Sequence, residues 1–168
     1  MRQRIVVSGR GGQGVLTLTR ILAEAASAAG HEVITTETHG MAQRGGAVLS
    51  TIKVGAFHGP LVASGEAEVG LFLHVENLPV HSHYLRRDAA VVVNTAHRVA
   101  QKSVNADGLA SGAGEPRAAN LAVLGYAAGK GILFAPAEAF EAAIRQAIPA
   151  RYLAGSLRAF QAGLEASQ

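Results

Sequence analysis

The chain has 168 residues, 49% of them hydrophobic and 16% charged, with a formal net charge of +3. That length suits one domain with a sizeable core, and the apolar content excludes a disordered chain. The absence of cysteine excludes disulfides, thiolate nucleophiles and cysteine-ligated iron–sulfur clusters from this polypeptide.

Arg86-Arg87 is the densest basic pair and aromatic residues make up 5%, too few for a base-stacking platform, so no nucleic-acid partner is expected. Met1-Arg2-Gln3-Arg4 runs into a strand without a signal-peptide pattern, and no apolar run reaches the length of a membrane span. A cytoplasmic location with no membrane contact is expected. The low charge content leaves apolar surface for a partner subunit or a core of small residues.

Ile5-Val6-Val7 reads as a buried strand over about residues 4–8. The turn Ser8-Gly9-Arg10-Gly11-Gly12-Gln13-Gly14 follows, and a helix over about 14–29 buries Leu16, Ile21, Leu22 and Ala25 before Gly30 stops it. Glu32–Glu37 is the second strand, so the unit predicts parallel strands joined by a right-handed crossover. A strand, a glycine turn and a helix start expose backbone N–H groups to an anion. Gly9, Gly11 and Gly14 also fit G-x-G-x-x-G, with Glu37 placed as a ribose-binding acid. The competing reading is that these glycines only make a tight turn.

A second glycine-rich stretch, Thr38-His39-Gly40-Met41-Ala42-Gln43-Arg44-Gly45-Gly46, leaves the end of strand two. Loops after parallel strands share one sheet edge, which brings the two glycine loops together. His39 and Gln43 bring polar orienting groups there, and Arg44 a fixed cation for a carboxylate or phosphate. Ala47–Val54 reads as a strand and residues 55–60 as a turn, with a short extended piece at Leu61-Val62; Pro60 argues for a hairpin or an addition at the sheet edge.

Glu68–His74 is a strand and Val75–Arg87 a helix, and His74, His81 and His83 match no metal-ligand spacing, so no metal site is expected. Ala89–Asn94 is a core strand ending in a polar residue, with Thr95 at or just past its end facing the ligand edge, followed by a short strand at 102–104 and a flexible loop at 108–114. Helices over 120–129, 136–145 and from Pro149 towards Gly163 complete one domain spanning 1–168.

His39-Gly40-Met41-Ala42-Gln43-Arg44-Gly45-Gly46, after Gly9-Arg10-Gly11-Gly12-Gln13-Gly14, resembles the gamma module of the 2-oxoacid:ferredoxin oxidoreductases, the pyruvate, 2-oxoglutarate, 2-oxoisovalerate and indolepyruvate enzymes. The likeness continues through Pro60, Ser64–Glu68, Val91–Asn94 and Asn120–Gly125, and its layout is similar to the small subunit of the indolepyruvate enzymes. Arg10 departs from it, since a small or apolar residue is expected there.

The resemblance implies an α/β, Rossmann-like open sheet, mostly parallel and twisted, with helices on both faces and an antiparallel edge hairpin. It implies a non-autonomous subunit of an enzyme that oxidatively decarboxylates a 2-oxoacid to an acyl-CoA. Thiamine diphosphate and iron–sulfur clusters would sit on partner subunits, ferredoxin would be reached through the partner, and CoA would be a co-substrate. This chain alone would bind no cofactor. The cavity residues would be Gly11, Gly12, Gln13, Gly14, His39, Gly40, Gln43, Arg44, Gly45, Gly46 and Asn94, with no catalytic base assigned. The other reading is a freestanding nucleotide-binding protein or small dehydrogenase built on Gly9, Gly11, Gly14 and Glu37.

Overall fold

The computed structural model describes residues 1–38 and 46–168. Six strands form its sheet: β1 (Gln3–Arg10), β2 (Val33–Thr38), β3 (Ala47–Val54), β4 (Ala67–Phe72), β5 (Leu85–Asn94) and β6 (Lys102–Val104), in the spatial order β2-β3-β1-β4-β5-β6. The β1, β4, β5 and β6 strands run parallel, and β3 is antiparallel to both β1 and β2. The sheet is therefore mostly parallel, with an antiparallel hairpin, β2–β3, at one edge.

The hairpin differs from the expected one. β3 is not an edge strand: it separates β1 from β2 and is buried from Val48 to Val54. Residues 61–62 do not pair with it. Lys53 tolerates this position because its ammonium reaches out to donate to the Gly59 carbonyl at 3.0 Å and lies 5.2 Å from the Phe57 ring centre.

Alternation sorts the strands into two faces. Ile5, Val7, Ile52, Val54, Val69 and Leu71 join a continuous core with α1 (Val15–Ala28), α3 (Ala106–Gly112), α4 (Ala119–Gly129), α5 (Ala137–Ala147) and α6 (Ala150–Ala166). Val6, Leu49, Val62 and Ala67 make a smaller cluster on the other face, closed by Tyr84 and Leu85. That second face carries α2 (Leu78–His81) between the 3-10 turns Val75–Asn77 and Ser82–Tyr84. Helices lie on both faces, but the long ones share one.

Two local expectations change. The 75–87 helix breaks into these short turns because β5 starts at Leu85, whose side chain fills the space left by Gly70; a Cβ on Gly70 would lie 2.8 Å from Leu85 Cδ2. The expected loop at 108–114 is largely α3. Asn105 caps it by accepting from the Gly108 N–H at 3.0 Å, and Ala106 and Ala110 bury one face, which together outweigh the poor helix propensity of its glycines. No helix among the described residues is long and apolar enough to cross a membrane.

Candidate functional site

The site starts where β1 hands over to α1. Gly12 and Gly14 take φ values of 89° and 80°, which side chains rarely adopt. Gly14 is the N-cap of α1, with no side-chain cap and no acid in the first turn. The Leu18 N–H reaches the Gly14 carbonyl at 3.0 Å, so the amides from Gly14 to Thr17 have no acceptor within the helix. This helix end is positive and open.

Three side chains and one backbone contact hold the turn. Gln13 Oε1 accepts from the Arg10 N–H at 2.7 Å, and Gln13 Nε2 donates to the Leu73 carbonyl at 3.2 Å. Asn77 is buried and donates to the Gly9 carbonyl at 2.6 Å and to Ser8 Oγ at 3.0 Å. Asn120 Nδ2 donates to the Gly14 carbonyl at 3.1 Å. The Gly11 N–H donates to the Gly46 carbonyl at 3.0 Å, which joins the first glycine loop to the end of the second. Gln13 is thus a brace for the turn.

Three clefts meet on Gly12. A cleft of about 490 Å³ is lined by Arg10, Gly12, Gly14, Leu16, Thr38 and Val48. One of about 310 Å³ lies towards Asn120, Arg117 and Tyr152, where the Arg117 guanidinium sits 4.7 Å from the Tyr152 ring centre. A third, of about 210 Å³, reaches Gln13, Asn94 and Asp107.

Gly11, Gly12, Gln13 and Gly14 lie in one turn, and Gly11 joins it to Gly46. His39, Gly40, Gln43, Arg44 and Gly45 lie outside the described residues. Asn94 borders the third cleft with its amide engaged inside the chain. Its Nδ2 donates to the Leu73 carbonyl and to Asp107 Oδ2, each at 3.1 Å, and its Oδ1 accepts from the Ala106 N–H at 2.9 Å. It ties the ends of β4 and β5 to the start of α3.

Sequence reasoning missed Asn77, the Ser8–His81 contact and the ion pair from Arg10 to Glu76. All depend on segment 74–81 folding back over the end of β1. No periodicity announces that, although Asn77, two residues before Pro79, is a usable hint of a chain turn.

Ser8 is fully buried and its Oγ lies 2.7 Å from His81 Nδ1. Ser8 Oγ thus accepts from Asn77 Nδ2 and shares a second hydrogen bond with the His81 ring. Burial, then the nearby His83, pushes the His81 imidazole below its ordinary value of 6.5. The unfolded chain therefore binds a proton that the folded chain resists. Stability contributed here is complete above about pH 6.5 and falls as pH drops from there towards the lowered folded value. Urea midpoints should fall between pH 7.5 and 5.5, and His81→Gln should flatten that fall; an unchanged slope in the variant would remove His81 from the account.

The sequence profile described as Pyruvate ferredoxin/flavodoxin oxidoreductase matches residues 4–166, from β1 to the last turn of α6. The chain belongs to this family. Subunit IorB of the indolepyruvate oxidoreductase of Archaeoglobus fulgidus is 32% identical over 97% of this chain and 94% of its own length. The gamma subunit of a keto/oxoacid ferredoxin oxidoreductase from Geobacter sulfurreducens superposes with a TM-score of 0.81 at 27% identity, covering 99% of this chain and 97% of that one. The 2-oxoglutarate:ferredoxin oxidoreductase of Magnetococcus marinus, solved with 2-oxoglutarate, coenzyme A and succinyl-CoA, shares the fold with a TM-score of 0.80 at 18% identity; the likeness covers 99% of this chain and 31% of that longer one. The Pyruvate ferredoxin/flavodoxin oxidoreductase match takes in both glycine loops, so the open helix start and its braces lie within the family region.

Proposed function

We propose that this chain is the small, non-autonomous subunit of a 2-oxoacid:ferredoxin oxidoreductase of the pyruvate or indolepyruvate type, which converts a 2-oxoacid and CoA to an acyl-CoA. The observation that carries the reading is the end-to-end match to a subunit of such an enzyme, joined to an open, uncapped helix start at the glycine turn. Thiamine diphosphate and iron–sulfur clusters, on partner subunits, supply decarboxylation and electron transfer to ferredoxin. The residues of this chain do not fit a cluster: the sequence has no cysteine, and among the described residues no three metal-ligating side chains gather.

In this reading the chain's own residues bind and orient. The turn amides at Gly12 and Gly14 and the α1 dipole hold a phosphate or carboxylate, and Gln13 keeps the turn rigid. Gly11 and Gly46 join the two loops. His39, Gly40, Gln43, Arg44 and Gly45 on the second loop, with Asn94 behind the turn, complete the cavity. Leu16, expected from the helical rhythm to be buried, is instead an exposed large apolar side chain beside the cleft, with Leu18 taking the core position, and suits a wall shared with a partner subunit. CoA, seen with the Magnetococcus marinus enzyme, carries the phosphates that such a helix end accepts.

The freestanding nucleotide-binding reading loses support from the sheet order. The fingerprint needs its acid on the strand next to β1, but β3 lies between β1 and β2, so Glu37 stands one strand spacing, about 4.8 Å, farther out. The test is anaerobic copurification from the native host followed by assay. The chain alone should show no 2-oxoacid-dependent reduction of a ferredoxin substitute. A large cysteine-rich partner carrying thiamine diphosphate and iron should restore it in the presence of CoA. Full activity from the purified chain, or tight NAD binding by it, would overturn the proposal.

A further inference from the structure

We propose that the cleft of about 310 Å³ between α1, α4 and α6 is a second binding site, for a small monocarboxylate with an apolar body. The inference rests on the reading of the α1 start as open to anions, and adds a cleft separate from the large one. A buried hydroxyl carries it. Ser156 lines this cleft and is 4% exposed, yet its Oγ has no hydrogen-bond partner among the described residues. A hydroxyl inside a helix ordinarily bonds the carbonyl one turn back, as Thr19 does to Val15 at 2.9 Å. A buried donor left unpaired is costly, and an acceptor entering the cleft would pair it. The hydroxyl is not sealed in: the unpaired side-chain atoms closed to solvent among the described residues are Gln3 Oε1 and Glu24 Oε2.

Three helices begin at the same wall. Gly14, Ala118 and Pro149, the N-cap residues of α1, α4 and α6, all line the cleft, and none has a side chain that can cap. None of these helices has an acid in its first turn, whereas α3 and α5, which start elsewhere, carry Asp107 and Glu138 there. On α4 the Leu121 N–H is taken by Asn120 Oδ1 at 3.0 Å, so the open donors are the first-turn amides of α1 and α6. The lining then sets the chemical class. Its charged side chains among the described residues are Glu115 and Arg117, which pair at 3.3 Å and cancel. The helix starts supply the remaining positive potential, about half a charge each, which suits one negative charge and not a phosphate dianion beside Glu115. Leu121, Ile148 and Pro149 make the wall aliphatic, and the Tyr152 ring is already occupied by the Arg117 and Arg151 guanidiniums, each 4.7 Å from its centre. The body of the ligand is therefore aliphatic and small.

The test is NMR titration of the full chain with 4-methylpentanoate, read on the backbone amides. Amides at the starts of α1 and α6 should shift together. Affinity should exceed that for acetate by about four-fold for each methylene buried. Ser156→Ala should weaken binding about ten-fold, the loss of one hydrogen bond to a charged group. The same variant without ligand should be at least as thermally stable as wild type, because the hydroxyl it removes has no partner to lose. Ser27→Ala, an exposed serine at the other end of α1, should leave affinity unchanged. A ligand-free Ser156→Ala chain less stable than wild type would mean that the hydroxyl is bonded inside the protein, and overturns the proposal. Inorganic phosphate binding more tightly than 4-methylpentanoate overturns the chemical class and the proposal with it. Shifts confined to α1 and indifferent to Ser156→Ala overturn this site and leave the anion reading of the glycine turn standing. No shift with either 4-methylpentanoate or inorganic phosphate removes that reading, and this site with it.

Discussion

Replacing Gly125 by alanine should destabilise the chain by about 3 kcal/mol or more, at the upper end of what overpacking costs. A Cβ on Gly125 of α4 would lie 2.0 Å from the Phe160 carbonyl oxygen of α6 and 3.0 Å from the Leu164 nitrogen. Gly163 of α6 meets the reverse problem, with its Cβ 2.0 Å from the Ala122 carbonyl oxygen. These obstacles are helical backbone, so no rotamer change relieves them. The two helices must separate along their length, and the separation opens gaps around Phe160 and Leu121, both buried in the shared core. For a chain of 168 residues the loss corresponds to a fall in melting temperature of roughly 6–12 °C. Gly112→Ala is the contrast. Gly112 ends α3 with nothing within 4 Å of its would-be Cβ, and alanine there should raise stability by about 0.5 kcal/mol. Thermal and urea unfolding of Gly125→Ala and Gly112→Ala checks this ordering. A Gly125→Ala chain as stable as wild type would mean that α4 and α6 do not pack backbone to backbone.

Gly14→Ala should damage both the fold and the site. Alanine at φ 80° costs about 1–2 kcal/mol from its left-handed conformation alone. Its Cβ would also lie 2.4 Å from Asn120 Nδ2, the atom that donates to the Gly14 carbonyl. The asparagine must swing away, and the turn loses the brace that α4 provides. A shift of about 1 Å in a positioning element can reduce turnover on the order of 10²-fold, and that loss is expected in the assembled enzyme. A double-mutant cycle separates the two causes. In an Asn120→Ala background the obstructing amide is gone, so Gly14→Ala should cost about 1–2 kcal/mol less than in the wild type. An identical cost in both backgrounds would mean that strain at φ 80° is the whole effect and that the amide does not obstruct.

Much of the chain was legible because its signals are local. Ile5-Val6-Val7, the glycines at 9–14 and the helical rhythm after Val15 specify a strand, a turn and a helix by spacing alone, and the helices after Asn120, Pro136 and Pro149 formed close to where their patterns put them. Where the sequence misled, a long-range contact overrode the local signal. Val75–Arg87 has the composition of a helix, yet Leu85 is needed over Gly70 and His81 beside Ser8, and a continuous helix cannot place both. Pro60 argued for an edge, but residues 55–66 cross over the sheet instead of pairing, and Lys53 escapes through Gly59.

The site divides along the same line. The sequence by itself determined that a glycine turn opens a helix at the end of a buried strand, because positive φ and a missing Cβ are properties of glycine wherever it stands. It also determined that this chain holds no thiolate ligand. Only the tertiary structure decided what braces that turn and what neutralises its arginine. Gln13 to Leu73, Asn77 to Gly9, Asn120 to Gly14 and Arg10 to Glu76 each join residues that become neighbours only after the sheet has closed. A spacing rule reads periodicity within one element. Hydrogen bonds between elements depend on strand order, and the insertion of β3 between β1 and β2 shows that order being set by which strand can be buried on both faces.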